Sequence, residues 1–210
     1  MKPALTALIA LAVSAACTGT ESAVASASAS ERRAEAVHAP GYVVDSALPP
    51  AELLRRFRVG LDSVARFDNG AASTRDALVQ RFARALTRHD TSALRALALS
   101  RAEFAYLYYP GTQYVRPPYL MAPDVLWQLM HARSESGMKR LVARVGDAGV
   151  RIQGAVCERA PAVEGRNRLL RECVVRVRRA GADSVERRRL FGTIVERDGR
   201  YKFVSYANDF

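Results

Sequence analysis

Three residues near the middle of the chain have side chains of the kind that acid–base catalysis uses. His131 and Asp124 lie seven positions apart in a stretch with helical periodicity, and Tyr109 lies in the segment before it. Histidine exchanges protons near neutral pH, and a carboxylate and a phenol could complete an acid–base group at the mouth of a pocket. Because a single histidine on a helix is more often a surface residue, an isomerase or hydrolase is an alternative hypothesis only.

An aromatic segment precedes this helix. Tyr106, Tyr108, Tyr109, Tyr114 and Tyr119 are five of the eight tyrosines, and they alternate with prolines and a glycine that exclude a long helix. Their rings either anchor a loop on the core or line the rim of a site for an apolar or glycan ligand. The predicted ligand-binding residues are Tyr108, Tyr109, Tyr114, Tyr119 and Trp127.

Two of the three cysteines fall in predicted strands. If the intervening loop is symmetric about Gly165, Cys157 lies opposite Cys173, and a cross-strand disulfide is feasible. Two buried free thiols are the alternative. The spacing of the three cysteines and three histidines fits none of the common zinc patterns. We therefore predict no metal site, and in the absence of a phosphate-binding glycine loop we predict no cofactor.

The beginning of the chain is typical of an exported protein. Lys2 precedes a short apolar run, Ala4–Val13, which has the length of a secretory signal and is too short to span a membrane. The residues before Cys17 resemble a bacterial lipobox, in which the cysteine becomes the lipidated N-terminus, although Ser14 stands where leucine is usual. Ordinary cleavage after Ala16 or near Ala27 is the alternative.

The first 41 residues thus divide into a signal peptide, residues 1–16, and a segment of residues 17–41 that begins with the lipidated cysteine. This second segment is rich in alanine and serine, without apolar periodicity, which predicts a flexible tether. A tether of this length has an r.m.s. reach of about 25 Å. Residues 42–210 are expected to form a single domain.

Within this domain, helical patterns come first and strand patterns follow. Leu78, Phe82 and Leu86 recur at the spacing of an amphipathic helix. From Val150 onward the chain consists of strands and turns, and Asp198-Gly199 predicts a type I′ hairpin that places Ile194 opposite Phe203, and Phe191 opposite Tyr206. The fold class is α+β, with N-terminal helices packed on a C-terminal antiparallel meander of about four strands.

Three segments of this domain resemble the nuclear-transport-factor-2-like superfamily, which includes SnoaL-like and ketosteroid-isomerase-like proteins. They are Ala77–Leu86, Asp90–Leu94 and the hairpin Val195–Val204. The resemblance covers about residues 70–207, and the segment from Tyr106 to Gly146 is longer than usual. It implies a cone-like fold with a pocket between a curved sheet and helices, often in a homodimer. Enzymes of this type place carboxylates and a tyrosine inside the cone, whereas here Asp183 and Asp198 fall in predicted turns.

The chain is strongly basic, with a formal net charge of +11 and a pI near 10.2. Such a charge favours contact with polyanions, although arginines on solvated faces are the simpler interpretation. The run Arg187–Arg189, opposite Arg176, Arg178 and Arg179, could form a strip that faces a polyanion or could protect an edge strand from pairing. Nucleic acid is not expected for an exported chain, so lipid head groups or acidic envelope polymers fit better.

These observations predict an envelope lipoprotein of a bacterium, anchored to the membrane through Cys17 or secreted into the periplasm. Its domain is expected to bind a small apolar or glycan ligand, or an envelope protein, without catalysis. A structural or assembly subunit that forms a homodimer through the sheet is the second alternative.

Overall fold

The computed structural model describes residues 31–32, 48–146, 149–181 and 183–208. The predicted signal peptide, the lipidation site Cys17 and almost all of the predicted tether lie outside these ranges. One unit of the chain runs from Leu48 to Phe210. No helix within the described ranges is both long and apolar enough to cross a membrane.

In the described part of the unit, five α-helices precede the strands. The local sequence fixes several helix starts: the side chain of Thr74 accepts a hydrogen bond from the N–H of Ala77, and Ser100 and Glu103 form the capping box that their spacing favours. The helices are α1 (Pro50–Phe57), α2 (Arg75–Thr87), α3 (Thr91–Leu97), α4 (Arg101–Glu103) and α5 (Pro123–Leu141).

The aromatic segment between α4 and α5 folds into short helical turns. A π-helical turn, Phe104–Tyr108, continues α4, and two 3₁₀ turns follow at Tyr109–Gly111 and Gln113–Val115. Another π-helical turn, Val142–Gly146, continues α5.

Seven strands of the described residues form two antiparallel sheets. The order is β1-β4-β5 in the first sheet and β2-β3-β6-β7 in the second. The strands are β1 (Val150–Cys157), β2 (Ala162–Glu164), β3 (Asn167–Leu170), β4 (Cys173–Arg179), β5 (Val185–Arg188), β6 (Ile194–Arg197) and β7 (Arg200–Phe203). Helices followed by antiparallel strands confirm the α+β class.

The described residues form seven strands, whereas the sequence predicted about four. Pairing runs from Cys157 opposite Cys173 through a Glu158–Glu172 backbone hydrogen bond to the β2–β3 pair, so one long hairpin contributes to both sheets. The loop that was predicted around Gly165, between the two cysteine strands, therefore contains β2 and the start of β3. Each arm is interrupted because Pro161 has no N–H to donate and Glu172 has a positive φ of 53°.

The last hairpin has the predicted register at its turn. Ile194 pairs with Phe203, and Asp198 and Gly199 both have positive φ, as a type I′ turn requires. The expected pairing of Phe191 with Tyr206 is not part of the ladder, since β6 begins only at Ile194. The ring of Phe191 instead lies 4.4 Å from that of Phe203.

Two apolar clusters cover opposite faces of the second sheet at β6. Ile194 belongs to a cluster built around Phe82 of α2, and the next residue, Val195, belongs to a cluster that contains Phe104. Successive strand residues point to opposite faces, so the second sheet lies between two cores at this strand.

The chain after β7 packs closely on α5. A Cβ atom at Gly137 would clash with the carbonyl oxygen of Tyr206, so glycine permits this approach. The side-chain amide of Asn208 donates to the carbonyl of Gly137, and the N–H of Tyr206 donates to Ser134 Oγ. This contact fixes the position of the Tyr206 ring.

Candidate functional site

An apolar cleft of about 340 Å³ opens between the α3–α4 segment and α5. Its walls come from residues that sequence periodicity places on the inner side of these helices, and the chain after β7 forms its floor. The larger apolar side chains of its lining are Leu99, Trp127, Met130, Met138, Val204 and Tyr206. We call this cavity the α3–α5 cleft.

Several polar groups along the cleft already have partners within the fold. The Tyr206 hydroxyl donates a 2.6 Å hydrogen bond to the carbonyl of Leu94, and burial raises its pKa well above the ordinary value. Ser134 Oγ accepts the backbone N–H of Tyr206 at 3.1 Å. The His131 ring stacks on Trp127 with centroids 5.3 Å apart.

A salt bridge crosses the rim of the cleft from α3 to α5. Arg95 donates to both carboxylate oxygens of Glu135, with its Nη2 2.9 Å from one of them. Hydrogen bonding from Arg95 lowers the pKa of Glu135 below its usual value. The carboxylate is therefore anionic at neutral pH and a weak proton acceptor.

The structure does not bring the proposed acid–base residues together. Asp124 and His131 are both exposed on α5, and seven residues of helix separate them by about 10 Å along the axis. Tyr109 is buried and its hydroxyl donates to the carbonyl of Met121 at 2.8 Å. Only His131 of the three lines the cleft. These three groups are therefore too far apart to transfer a proton directly from one to another.

The predicted aromatic rim is only partly a surface. Tyr108 and Tyr109 are 8% and 1% exposed and belong to the Phe104 cluster, so they anchor the segment. Tyr114 packs edge-on against Tyr119, which is 55% exposed and lies outside the α3–α5 cleft. Of the five predicted ligand-binding residues, Trp127 lines the cleft. The spacing could not reveal that the first two rings point inward.

A buried ion pair was not predicted from the sequence. Lys202 Nζ lies 2.7 and 3.0 Å from the two carboxylate oxygens of Glu103, and both side chains are almost fully buried. Glu103 also accepts the N–H groups of Asp68 and Ser100. Burial lowers the pKa of Lys202, and Glu103 opposes that fall. Because each oxygen of Glu103 has two donors, the pair connects α4 to β7 rather than serving a reaction. The sequence offered one indication that Lys202 is buried: it lies between Tyr201 and Phe203 in its strand.

Cys157 and Cys173 lie opposite one another in β1 and β4, and their sulfurs are 2.06 Å apart, the distance of a disulfide bond. The bond lies where the long hairpin passes from one sheet to the other. Within the described ranges, no group of three or more His, Cys, Asp or Glu side chains is placed to hold a metal ion.

No protein-family model matches the sequence, and neither the curated proteins nor the solved structures contain a match to it. The site must therefore be interpreted from its own chemistry.

Proposed function

We propose that this protein is an exported, membrane-tethered binding protein whose α3–α5 cleft holds a small ligand with an apolar body. The observation that carries the proposal is the cleft itself, about 340 Å³ in volume, whose lining includes Leu99, Trp127, Met130, Met138 and Tyr206 beside polar groups at its rim. A cavity of this size and lining suits a small apolar molecule.

Binding without catalysis is favoured by the state of the polar groups. Glu135 is held as an anion by Arg95, and the hydroxyl of Tyr206 is committed to a backbone carbonyl. A general acid or base needs a pKa near the working pH and a free path to the ligand. Neither group meets both conditions, so they shape the cleft.

The single tryptophan of the chain provides a direct test, since Trp127 lines the cleft. We expect N-phenyl-1-naphthylamine, an uncharged apolar dye that accepts energy from tryptophan, to quench the emission of Trp127 in a saturable titration. Met130→Lys places a charge in the apolar lining and should weaken the dye affinity at least about tenfold.

Leu129→Lys is the matched control for this substitution. Leu129 precedes Met130 on α5, is 46% exposed and does not line the cleft. Its replacement should leave the dye affinity unchanged. Equal losses in the two variants, or no saturable quenching in the unsubstituted protein, would contradict ligand binding in this cleft.

The location of the protein is a separate part of the proposal. The sequence before Cys17 supports export and lipidation, and the Cys157–Cys173 bond supports an oxidising compartment such as the periplasm. The intact mass of the membrane-extracted chain should correspond to a lipidated Cys17 at the N-terminus, and Cys17→Ser should remove the lipid. An unmodified N-terminus beyond residue 17 would exclude the anchor.

The resemblance to the nuclear-transport-factor-2-like superfamily stays a prediction, as does a homodimer. The arrangement of helices against antiparallel strands supports the resemblance. Sedimentation of the purified protein at several concentrations would test the dimer.

A further inference from the structure

The sheet β1-β4-β5 has two chemically different faces. Ala155, Val175 and Val177 are buried in the Phe82 cluster on the inner face. Strand alternation puts the intervening positions on the opposite side of the sheet. We call this side the outer face, and its exposed residues are Arg151, Val156, Arg176, Arg178, Val185 and Arg187.

Like charges lie directly opposite one another on the outer face. Arg151 pairs with Arg178 across β1 and β4, and Arg176 pairs with Arg187 across β4 and β5. Such pairs destabilise a sheet. Arg187 has a salt bridge to Glu158, but Arg151, Arg176 and Arg178 have neither an ion pair nor a side-chain hydrogen bond with any described residue. No strand position on this face is acidic.

The described part of the fold therefore concentrates positive charge on one surface and supplies no counter-charge for three of its arginines. Nearby carboxylates have other partners: Glu186 lies on the inner side and pairs with Arg179 and Arg188. Asp76 of α2 lines a cavity together with Arg176, but its carboxylate pairs with Arg75. Two exposed valines, Val156 at 47% and Val185 at 40%, accompany the arginines.

We propose that the outer face docks on an anionic phospholipid bilayer. Arginines pair with lipid phosphates, and each basic residue near an anionic surface strengthens binding. The exposed valines can enter the interfacial layer, where apolar side chains gain free energy. An exposed sheet face with both features complements a bilayer surface.

Other occupants fit the outer face less well. None of its strands carries an aromatic side chain on which a nucleic-acid base could stack. A second copy packed symmetrically on the same face would bring arginines against arginines. Bilayer docking does not depend on lipidation of Cys17 or on a ligand in the α3–α5 cleft, so it can fail or succeed independently of the proposed function.

The test compares vesicles of phosphatidylcholine alone with vesicles that also contain phosphatidylglycerol, using the unacylated full chain in a sedimentation assay. We expect binding that requires phosphatidylglycerol and weakens as salt is added. The double variant Arg176→Gln/Arg178→Gln should lose about 30-fold in affinity for the anionic vesicles. Thermal unfolding should show that the variant is folded, since both side chains are exposed.

The matched control is Arg116→Gln/Arg133→Gln, which removes the same charge from exposed positions outside the outer face. It should bind anionic vesicles nearly as well as the unsubstituted chain. Equal losses in the two double variants would mean that binding follows net charge alone and would overturn the proposal. Binding that ignores phosphatidylglycerol would overturn it too, as would binding of soluble polyphosphate at this face without binding of vesicles.

Discussion

The two sheets both carry basic side chains, and they differ in what those side chains contact. In the sheet β2-β3-β6-β7, Lys202 pairs with Glu103, and Arg168 lies across from Glu196 with 3.5 Å between charged atoms. In the sheet β1-β4-β5, Arg151 lies across from Arg178 instead. In the second sheet the buried charge of Lys202 is thus paired inside the chain, although Arg197 lies across from Arg200, whereas the outer face leaves charge available to another surface.

Burial explains the difference. A charge taken out of water loses several kcal/mol of solvation unless a partner compensates, so the sheet between two cores requires internal partners. An exposed arginine keeps its hydration and needs none. Solvation thus permits unpaired like charges on an exposed face, but the stability of the fold does not explain why they are there.

The largest expected effect is on the buried ion pair of the second sheet. Lys202→Met leaves the buried carboxylate of Glu103 without its cation and should lower the free energy of unfolding by about 3–5 kcal/mol, measured by urea denaturation. Lys139→Met, at an exposed position of α5, should change it by less than about 0.5 kcal/mol. Similar values for the two variants would remove the claimed distinction between buried and exposed charge.

The disulfide should have the next largest effect, because it closes the hairpin shared by the two sheets. Its cysteines are 16 residues apart, and a loop of that length predicts a loss of about 3 kcal/mol in Cys157→Ser/Cys173→Ser. Reductant should destabilise the unsubstituted protein by a similar amount and leave this variant unchanged.

Hydrogen exchange should show more loss of protection in β1 and β4 than in β6 and β7. Equal loss in all four strands would mean that the sheets unfold as one unit.

The smallest effect comes from reversing one charge in each sheet. Arg151→Glu creates an opposite-charge pair with Arg178 and should raise the free energy of unfolding by about 0.2–1 kcal/mol. The same substitution at Arg168 sets two carboxylates against each other and should lower it. Chemical denaturation at low salt measures both. A loss at Arg151 as large as that at Arg168 would show that the outer face does not carry uncompensated repulsion.

Local chemistry made much of the fold predictable. The helix around Phe82, the capping box at Ser100 and the hairpin at Asp198-Gly199 follow from interactions among neighbours in sequence. The register that places Cys157 opposite Cys173 also followed from loop symmetry.

The candidate site was less predictable because it depends on contacts between distant segments. The aromatic segment indicated a binding rim, but the packing of Tyr108 and Tyr109 against Phe104 turned those rings inward. Only Trp127 and His131 of the predicted set reached the α3–α5 cleft. The floor of that cleft depends on Gly137, whose missing side chain lets the residues after β7 approach α5.

The sequence alone therefore determined the fold class, the helix around Phe82, the last hairpin and the positive charge, because these depend on residue type and short-range spacing. Tertiary structure decided which charges are compensated and which aromatic rings are exposed. Glu103 and Lys202 are 99 residues apart, and only the docking of α4 on β7 makes them partners. Burial sets the free energy of a charge, and burial is a property of the whole packed chain.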